Sequence, residues 1–299
     1  MVGVWTALIT PFNDRNEIDL EAFRKLLRDQ RDAGVAGVIP CGTTGESPTL
    51  SADEKKTLIK AALDELKGSP VQVVAGTGSN STPETVAFSK WASDQGVHGV
   101  LIVTPYYNKP SQNGLLDHFR AVADAVSCEV ILYNVPGRTG VGLGAPTIVE
   151  LAAHPRIRTI KEATGNVEFT SQILDLLSQK NLKMDVLSGD DATYLPLLSI
   201  GAVGVISVAS NLIPRAMVAI QHAVEIGNVD SAREIHQRFY PLFRDLFVES
   251  NPSPIKHAMA IAGWCNSRVR APLAPLTAES IKILDTSLRR CGVVSGAKL

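Results

Sequence analysis

VILYNVPGRTG at residues 130–140 and TIKEATG at residues 159–165 decide how this chain is read. Two short apolar runs, Val130–Leu132 and Ile157–Ile160, each end on a residue able to do chemistry: Tyr133 in the first, Lys161 in the second. Between them lie Arg138, on a loop carrying Gly137 and Gly140, and a helix-like segment around Pro146–Ala153. An apolar run, a helical spacer and a second apolar run make a strand–helix–strand unit, which joins parallel strands. A lysine at the tip of a buried strand is desolvated, which favours its neutral, nucleophilic form. A tyrosine at the tip of the preceding strand can relay the protons that such a nucleophile releases.

Outward from this unit the same alternation fills most of the chain. Strands are predicted at Val4–Thr10, Gly37–Pro40, Val71–Gly76, Val100–Thr104, Val130–Tyr133, Ile157–Lys161, Val186–Ser188 and Val203–Ser207. These are continuous runs rich in Val and Ile rather than apolar/polar alternations, as expected of parallel strands covered on both faces. Most start roughly 25–35 residues after the last, the length of a strand–helix unit. The intervening helices carry their own signals. Asp19 is an N-cap before a face of Leu20, Phe23 and Leu27, Ser51 and Glu54 form a capping box, and Pro83 sits in the first turn of a helix opening at Ser81. Further helices are predicted at Val167–Leu177, Thr193–Ile200 and Arg215–Glu225. Eight such units fit a closed (β/α)8 barrel of roughly 225 residues. A doubly wound open sheet fits less well, because no GxGxxG follows the first strand. After Gly227 the pattern turns wholly helical, with helices predicted at Val229–Val248, Ile255–Ala262 and Glu279–Arg290. The expected division is a barrel over residues 1–226 that carries the active site, and a helical region over 227–299 packed on it.

Composition narrows the partners. The 299 residues are 45% hydrophobic, enough for a large core, and 29 basic residues balance 30 acidic ones. With no basic tract, nucleic acid and anionic membranes are not expected partners. No apolar run reaches the ~18 residues that span a bilayer, and nothing resembles a signal peptide, so a cytoplasmic protein is expected. The four cysteines form no CxxC pair and the six histidines no HxxxH or HxH pair, so no metal site is expected.

The predicted strand ends are polar. Gly42-Thr43-Thr44-Gly45-Glu46 follows the second, Thr77-Gly78-Ser79-Asn80 the third, Thr104-Pro105-Tyr106-Tyr107-Asn108 the fourth and Tyr133-Asn134 the fifth. Lys161-Glu162 closes the sixth, Ser188-Gly189-Asp190-Asp191 the seventh and Ser207 the eighth. In a (β/α)8 barrel the active site lies at these C-terminal ends. Lys161 is the candidate Schiff-base nucleophile. An ion pair with Glu162 is the plainer reading, but adjacent strand residues point to opposite faces. Tyr133, Tyr106 and Tyr107 are each either a buried aromatic with a satisfied hydroxyl or a proton carrier, and their clustering at the lysine's end favours the second. The GTTGE segment lacks the spacing of a phosphate loop, yet its N–H groups and hydroxyls can hold a small carboxylate. Arg138 is either a surface residue or a planar clamp for a second carboxylate, and its position leaves both open.

GTTGE at 42–46, TPYYN at 104–108, YNVPGRTG at 133–140 and KEATGN at 161–166 together resemble the pyruvate-dependent class I aldolases, the family that includes N-acetylneuraminate lyase. The likeness runs on through SGDD at 188–191, GVISV at 204–208 and NPSPIK at 251–256. Within the family it is closest to the branch that condenses pyruvate with L-aspartate 4-semialdehyde at the start of lysine biosynthesis. The sugar-acid lyases usually carry Ser at the position of Thr44 and lack the arginine matching Arg138. The resemblance implies that Lys161 forms the Schiff base with pyruvate, with Tyr133 as general acid/base. Thr43 links Tyr133 by hydrogen bonds to Tyr107, which in this family comes from the neighbouring subunit. By the same resemblance Thr44 would hold the pyruvate carboxylate, Gly189 and Ile206 would shape the pocket beside it, and Arg138 would position the semialdehyde carboxylate. No cofactor is implied, since the lysine is itself the electron sink, and the family's usual form is a tetramer built as a dimer of dimers.

Some members are inhibited by lysine through residues matching Asn80, Glu84 and Tyr106, all present here. Two histidines of lysine-sensitive members are replaced by Ala52 and Lys55, and Pro48 stands at a further contact position. An added positive charge opposes a cationic effector, so weak or absent feedback is expected. The competing readings are a sister aldolase acting on a 2-keto-3-deoxy sugar acid, against which Arg138 and Thr44 argue, and a barrel that has lost catalysis. Intact Lys161, Tyr133, Tyr107 and Thr43 argue against the last.

Overall fold

The computed structural model describes residues 1–293. Eight parallel strands, β1 (Gly3–Ala7), β2 (Gly37–Ile39), β3 (Gln72–Gly76), β4 (Gly99–Val103), β5 (Glu129–Asn134), β6 (Ile157–Glu162), β7 (Asp185–Ser188) and β8 (Gly204–Ser207), follow one another in chain order around a closed barrel. Between them run α1 (Leu20–Ala33), α2 (Ala52–Glu65), α3 (Thr82–Asp94), α4 (Gln112–Ala125), α5 (Pro136–Thr139), α6 (Ala145–Leu151), α7 (Val167–Gln179) and α8 (Tyr194–Ser199). Four helices follow β8: α9 (Pro214–Glu225), α10 (Val229–Asp245), α11 (Ser253–Ile261) and α12 (Ala278–Arg290). The predicted (β/α)8 barrel with a helical C-terminal extension is the observed fold. No helix among the described residues is long and apolar enough to cross a membrane.

Residue contacts divide the chain into two compact units. One holds residues 1–2 and 73–206. Its centre is the β4–β5–β6–β7 ladder, where Val103 pairs with Tyr133, Tyr133 with Lys161 and Lys161 with Leu187. Val130, Ile131 and Leu132 of β5 have no exposed surface, so this strand is covered on both faces, which is why its sequence does not alternate. α4 buries Leu115, Phe119 and Val122, one apolar stripe at helical spacing. Its N-cap Ser111 accepts the Gly114 N–H. The strands predicted in this region, and the helices predicted at Pro146–Ala153, Val167–Leu177 and Thr193–Ile200, lie within a few residues of the observed ones, but α4 and the single turn of α5 had no predicted bounds.

The other unit holds residues 3–72 and, among the described residues, 207–293. Asp19 caps α1 by accepting the Ala22 N–H, and Gly34 closes the helix in the left-handed region at φ 77°, where a side chain is disfavoured. Ser51 and Glu54 form the predicted capping box of α2. The strand predicted at Val4–Thr10 stops at Ala7, because the side chain of Asn211 takes over the backbone bonding. Asn211 Nδ2 donates to the Ala7 carbonyl at 2.8 Å and its Oδ1 accepts the Ile9 N–H at 3.1 Å. α9 packs on β1 and α1, α10 on α9, and α12 on α10 and α11.

Candidate active site

Paired residues of parallel strands share a face, so Tyr133 and Lys161 project together from the ends of β5 and β6. The Lys161 Nζ lies 4.2 Å from the centroid of the Tyr133 ring. Both residues are 5% exposed. In its protonated form the Lys161 ammonium is attracted to the ring quadrupole beneath it, and a small opening to solvent remains.

The next residue of each strand points the other way, and there the chain is clamped. Asn134 Nδ2 donates to Glu162 Oε2 at 2.7 Å, and Glu162 Oε1 accepts the Thr164 N–H at 2.6 Å. Asn134 Oδ1 accepts the Leu143 N–H at 3.0 Å, fixing the loop beyond α5. Glu162 therefore spends its carboxylate on Asn134 and the following turn, not on Lys161, in agreement with the opposite-face expectation. Burial raises the Glu162 carboxyl pKa, and the bonds from Thr164 and Asn134 oppose that rise.

Gly189 follows β7 and donates its N–H to the Glu162 carbonyl at 2.7 Å. A Cβ there would stand 2.5 Å from the Ala163 Cβ, so a side chain is excluded by close approach. Ile206 is fully buried in β8. The loops after β3, β4 and β5 are tied to one another: Asn80 Nδ2 donates to the Tyr106 carbonyl at 3.2 Å, Asn108 Nδ2 to the Asn80 carbonyl at 2.8 Å, and the Tyr107 N–H to the Thr139 carbonyl at 3.3 Å. Tyr106 is half-buried, Glu84 exposed and within reach of the Ser79 hydroxyl at 3.5 Å. Tyr107 sits at φ 74° and is 88% exposed, so its ring projects into solvent. Arg138 is exposed on α5. The structure thus brings Lys161 and Tyr133 into contact, and holds Tyr107 and Arg138 outward on ordered loops.

Thr43 and Thr44 lie in the other unit, on the loop that follows β2. Thr43 is half-buried and Thr44 buried. The loop turns tightly: the Gly42 carbonyl accepts the N–H groups of Gly45 and Ser47, and the Thr43 carbonyl accepts that of Glu46. Cys41 and Glu46 bracket it in the left-handed region, at φ 60° and 56°. Three residues far along the chain hold it. Asn251 Nδ2 donates to Thr44 Oγ1 at 2.9 Å, Lys256 Nζ donates to Glu46 Oε1 at 2.6 Å, and the Arg270 N–H donates to Glu46 Oε2 at 2.8 Å. Sequence reasoning gave none of these three a role. Asn251 and Lys256 stood inside the quoted NPSPIK, but nothing local says that Lys256 faces Glu46. Among the described residues no group of His, Cys, Asp and Glu could hold a metal ion.

Residues 1–290 match the model of the dihydrodipicolinate synthetase family. The chain belongs to that family. The 4-hydroxy-tetrahydrodipicolinate synthase of Leptospira biflexa is 47% identical over 98% of this chain and 99% of its own. Among solved structures, the 4-hydroxy-tetrahydrodipicolinate synthase of Methylacidiphilum fumariolicum SolV superposes with a TM-score of 0.94 at 44% identity, over 98% of this chain and 96% of that one. The chloride-inhibited dihydrodipicolinate synthase of Acinetobacter baumannii, solved in complex with pyruvate, does so with a TM-score of 0.93 at 38% identity, over 98% and 99%. As a dihydrodipicolinate synthetase family member, the chain is matched along nearly its whole length, C-terminal helices included.

Proposed function

We propose that this chain condenses pyruvate with L-aspartate 4-semialdehyde to give 4-hydroxy-tetrahydrodipicolinate, the entry to lysine biosynthesis through diaminopimelate, as a lyase of the class I aldolase type. The observation that carries the reading is the buried Lys161 amine packed 4.2 Å from the Tyr133 ring centroid at paired strand ends. The Lys161 Nζ attacks C2 of pyruvate, and the carbinolamine loses water to give an imine. Tyr133, as general acid/base, passes protons to the departing hydroxyl and takes one from C3, leaving an enamine. The enamine C3 attacks the aldehyde carbon of the semialdehyde and the new alkoxide is protonated. The substrate amine then adds to the imine carbon, closing the ring and expelling the lysine amine. Every electron pair stays within lysine and substrates, so the reaction calls for no cofactor.

Thr43 relays protons between Tyr133 and a Tyr107 supplied by a second copy, which the outward-projecting Tyr107 supports. Thr44 holds the pyruvate carboxylate, Gly189 and Ile206 bound the space beside the imine, and Arg138 receives the semialdehyde carboxylate. A bidentate guanidinium on an exposed loop suits that carboxylate, and it favours this reading over a sister aldolase for 2-keto-3-deoxy sugar acids. The protein acts as a cytoplasmic homotetramer, a dimer of dimers. Lysine at Asn80, Glu84 and Tyr106 inhibits it weakly or not at all, because Ala52 and Lys55 open α2 where lysine-sensitive relatives carry histidines.

Borohydride reduction with pyruvate tests the reading. The expected product is a pyruvate-derived mass adduct on Lys161, and turnover of aspartate semialdehyde but not of sugar acids. No adduct would end the covalent mechanism, while an adduct with sugar-acid turnover would move the chain to the sister activity.

A further inference from the structure

Thr44 is 3% exposed and Asn251 5%. The Asn251 Nδ2 can only donate, so the bond it makes forces the Thr44 oxygen to act as acceptor. The hydroxyl hydrogen is thereby left over, and no hydrogen bond among the described residues uses it. Asn251 Oδ1 is buried without a partner, so the amide's one bond is to Thr44. A buried hydroxyl that accepts from protein and has its hydrogen unspent is poised to donate to a ligand. The frame around it is rigid. The segment that supplies Asn251 also supplies Lys256, whose fully buried ammonium grips Glu46 two residues beyond Thr44. Both ends of Thr44-Gly45-Glu46 are thus tied to one stretch of chain, and the Arg270 N–H adds a third tie.

We propose that Asn251 is a positioning residue for pyruvate, fixing the Thr44 hydroxyl as a donor so that its hydrogen serves the substrate carboxylate. This rests on the pyruvate reading of the site given above. A double-mutant cycle on the full-length chain tests it, reading turnover and the pyruvate concentration that half-saturates borohydride-trapped adduct on Lys161. Asn251→Ala is expected to raise that concentration about tenfold, the loss of one oriented bond to a charged group, with kcat changed by less than about threefold. Thr44→Val does the same or more, and the double variant is no worse than Thr44→Val alone, because Asn251 acts through a hydroxyl already gone. Independent, multiplying effects would overturn the proposal, as would unchanged pyruvate saturation in Asn251→Ala. Should that variant fold poorly in a thermal melt, the isosteric Asn251→Asp decides. Its carboxylate would draw the Thr44 hydrogen to itself and repel the substrate, so saturation shifts by more than tenfold; wild-type saturation refutes the role. An adduct absent from the wild-type protein instead brings down the underlying pyruvate reading, and this inference with it.

Discussion

At the scale of single residues, one rank of the sheet separates chemistry from support. Tyr133 and Lys161 occupy one face, and Asn134 and Glu162, one step further on each strand, lock the other. Removing the Tyr133 hydroxyl while keeping the ring preserves the packing over the amine, so Tyr133→Phe is expected to lower kcat roughly 10²- to 10⁴-fold with pyruvate adduct still forming slowly. Steady-state rates within tenfold of wild type would remove Tyr133 as the proton carrier. Glu162 makes a different prediction, for stability. Burial raises its folded-state pKa above the unfolded value of about 4.3, so across that window the folded state holds the proton more tightly than the unfolded one. Its contribution therefore falls as pH rises from about 4.3 through the folded value, with a slope of up to about 1.4 kcal/mol per pH unit. Urea melts between pH 4 and 7 should show wild type losing ground to Glu162→Gln as pH rises; a gap moving the other way would falsify the assignment.

At the scale of elements, the caps and strands were legible because their causes are local. The capping box of α2, the Asp19 cap of α1 and the Val/Ile runs of the strands each lie within a few residues of what they determine. β1 ran short of its predicted end because Asn211, about two hundred residues on, takes its last backbone groups, and no window along the sequence contains both. The same holds for Glu46 of the GTTGE loop, whose partners are Lys256, buried in α11, and Arg270, on the stretch between α11 and α12, both more than two hundred residues away. Arg270 shows what such a link contributes. Its guanidinium bridges Glu54 at 2.6 and 2.9 Å and also donates to the carbonyls of Thr49 and Asn16. The hydrogen bond from Arg270 holds the Glu54 carboxyl well down, at about 2. A depressed carboxyl stabilises the fold fully above its unfolded pKa and loses that contribution as pH falls through the folded one. Arg270→Met should thus cost about 1–3 kcal/mol at pH 7, with the gap to wild type closing between about pH 4 and 2. A gap that stays constant with pH in chemical melts would place the loss in packing alone.

At the scale of the whole molecule, Tyr107 is the proposed site residue that stands outward. It leaves the loop after β4 at φ 74°, an arrangement costly for a tyrosine, and projects with 88% of its surface exposed. A backbone bond from the Tyr107 N–H to the Thr139 carbonyl, and side-chain amide bonds from Asn80 to the Tyr106 carbonyl and from Asn108 to the Asn80 carbonyl, hold that loop without burying the ring. An ordered, strained and exposed aromatic is what a site completed by a second copy would present, and mixing two inactive variants tests this directly. Lys161→Ala has no nucleophile, and Tyr107→Phe lacks the hydroxyl end of the relay. If Tyr107 acts in its own chain, every site in a mixed oligomer carries one of the two defects and the mixture stays inactive. If it acts across copies, the Tyr107→Phe chain keeps its own Lys161 and receives an intact Tyr107 from the Lys161→Ala chain, so one site of each mixed pair is whole. Co-refolding equal amounts makes half of the pairs mixed, and one whole site in each gives about a quarter of wild-type activity, whereas each variant alone stays near background. A mixture as inactive as its components, with mixed oligomers confirmed by native mass spectrometry, would return the relay to a single chain and leave the exposure of Tyr107 without a catalytic reason.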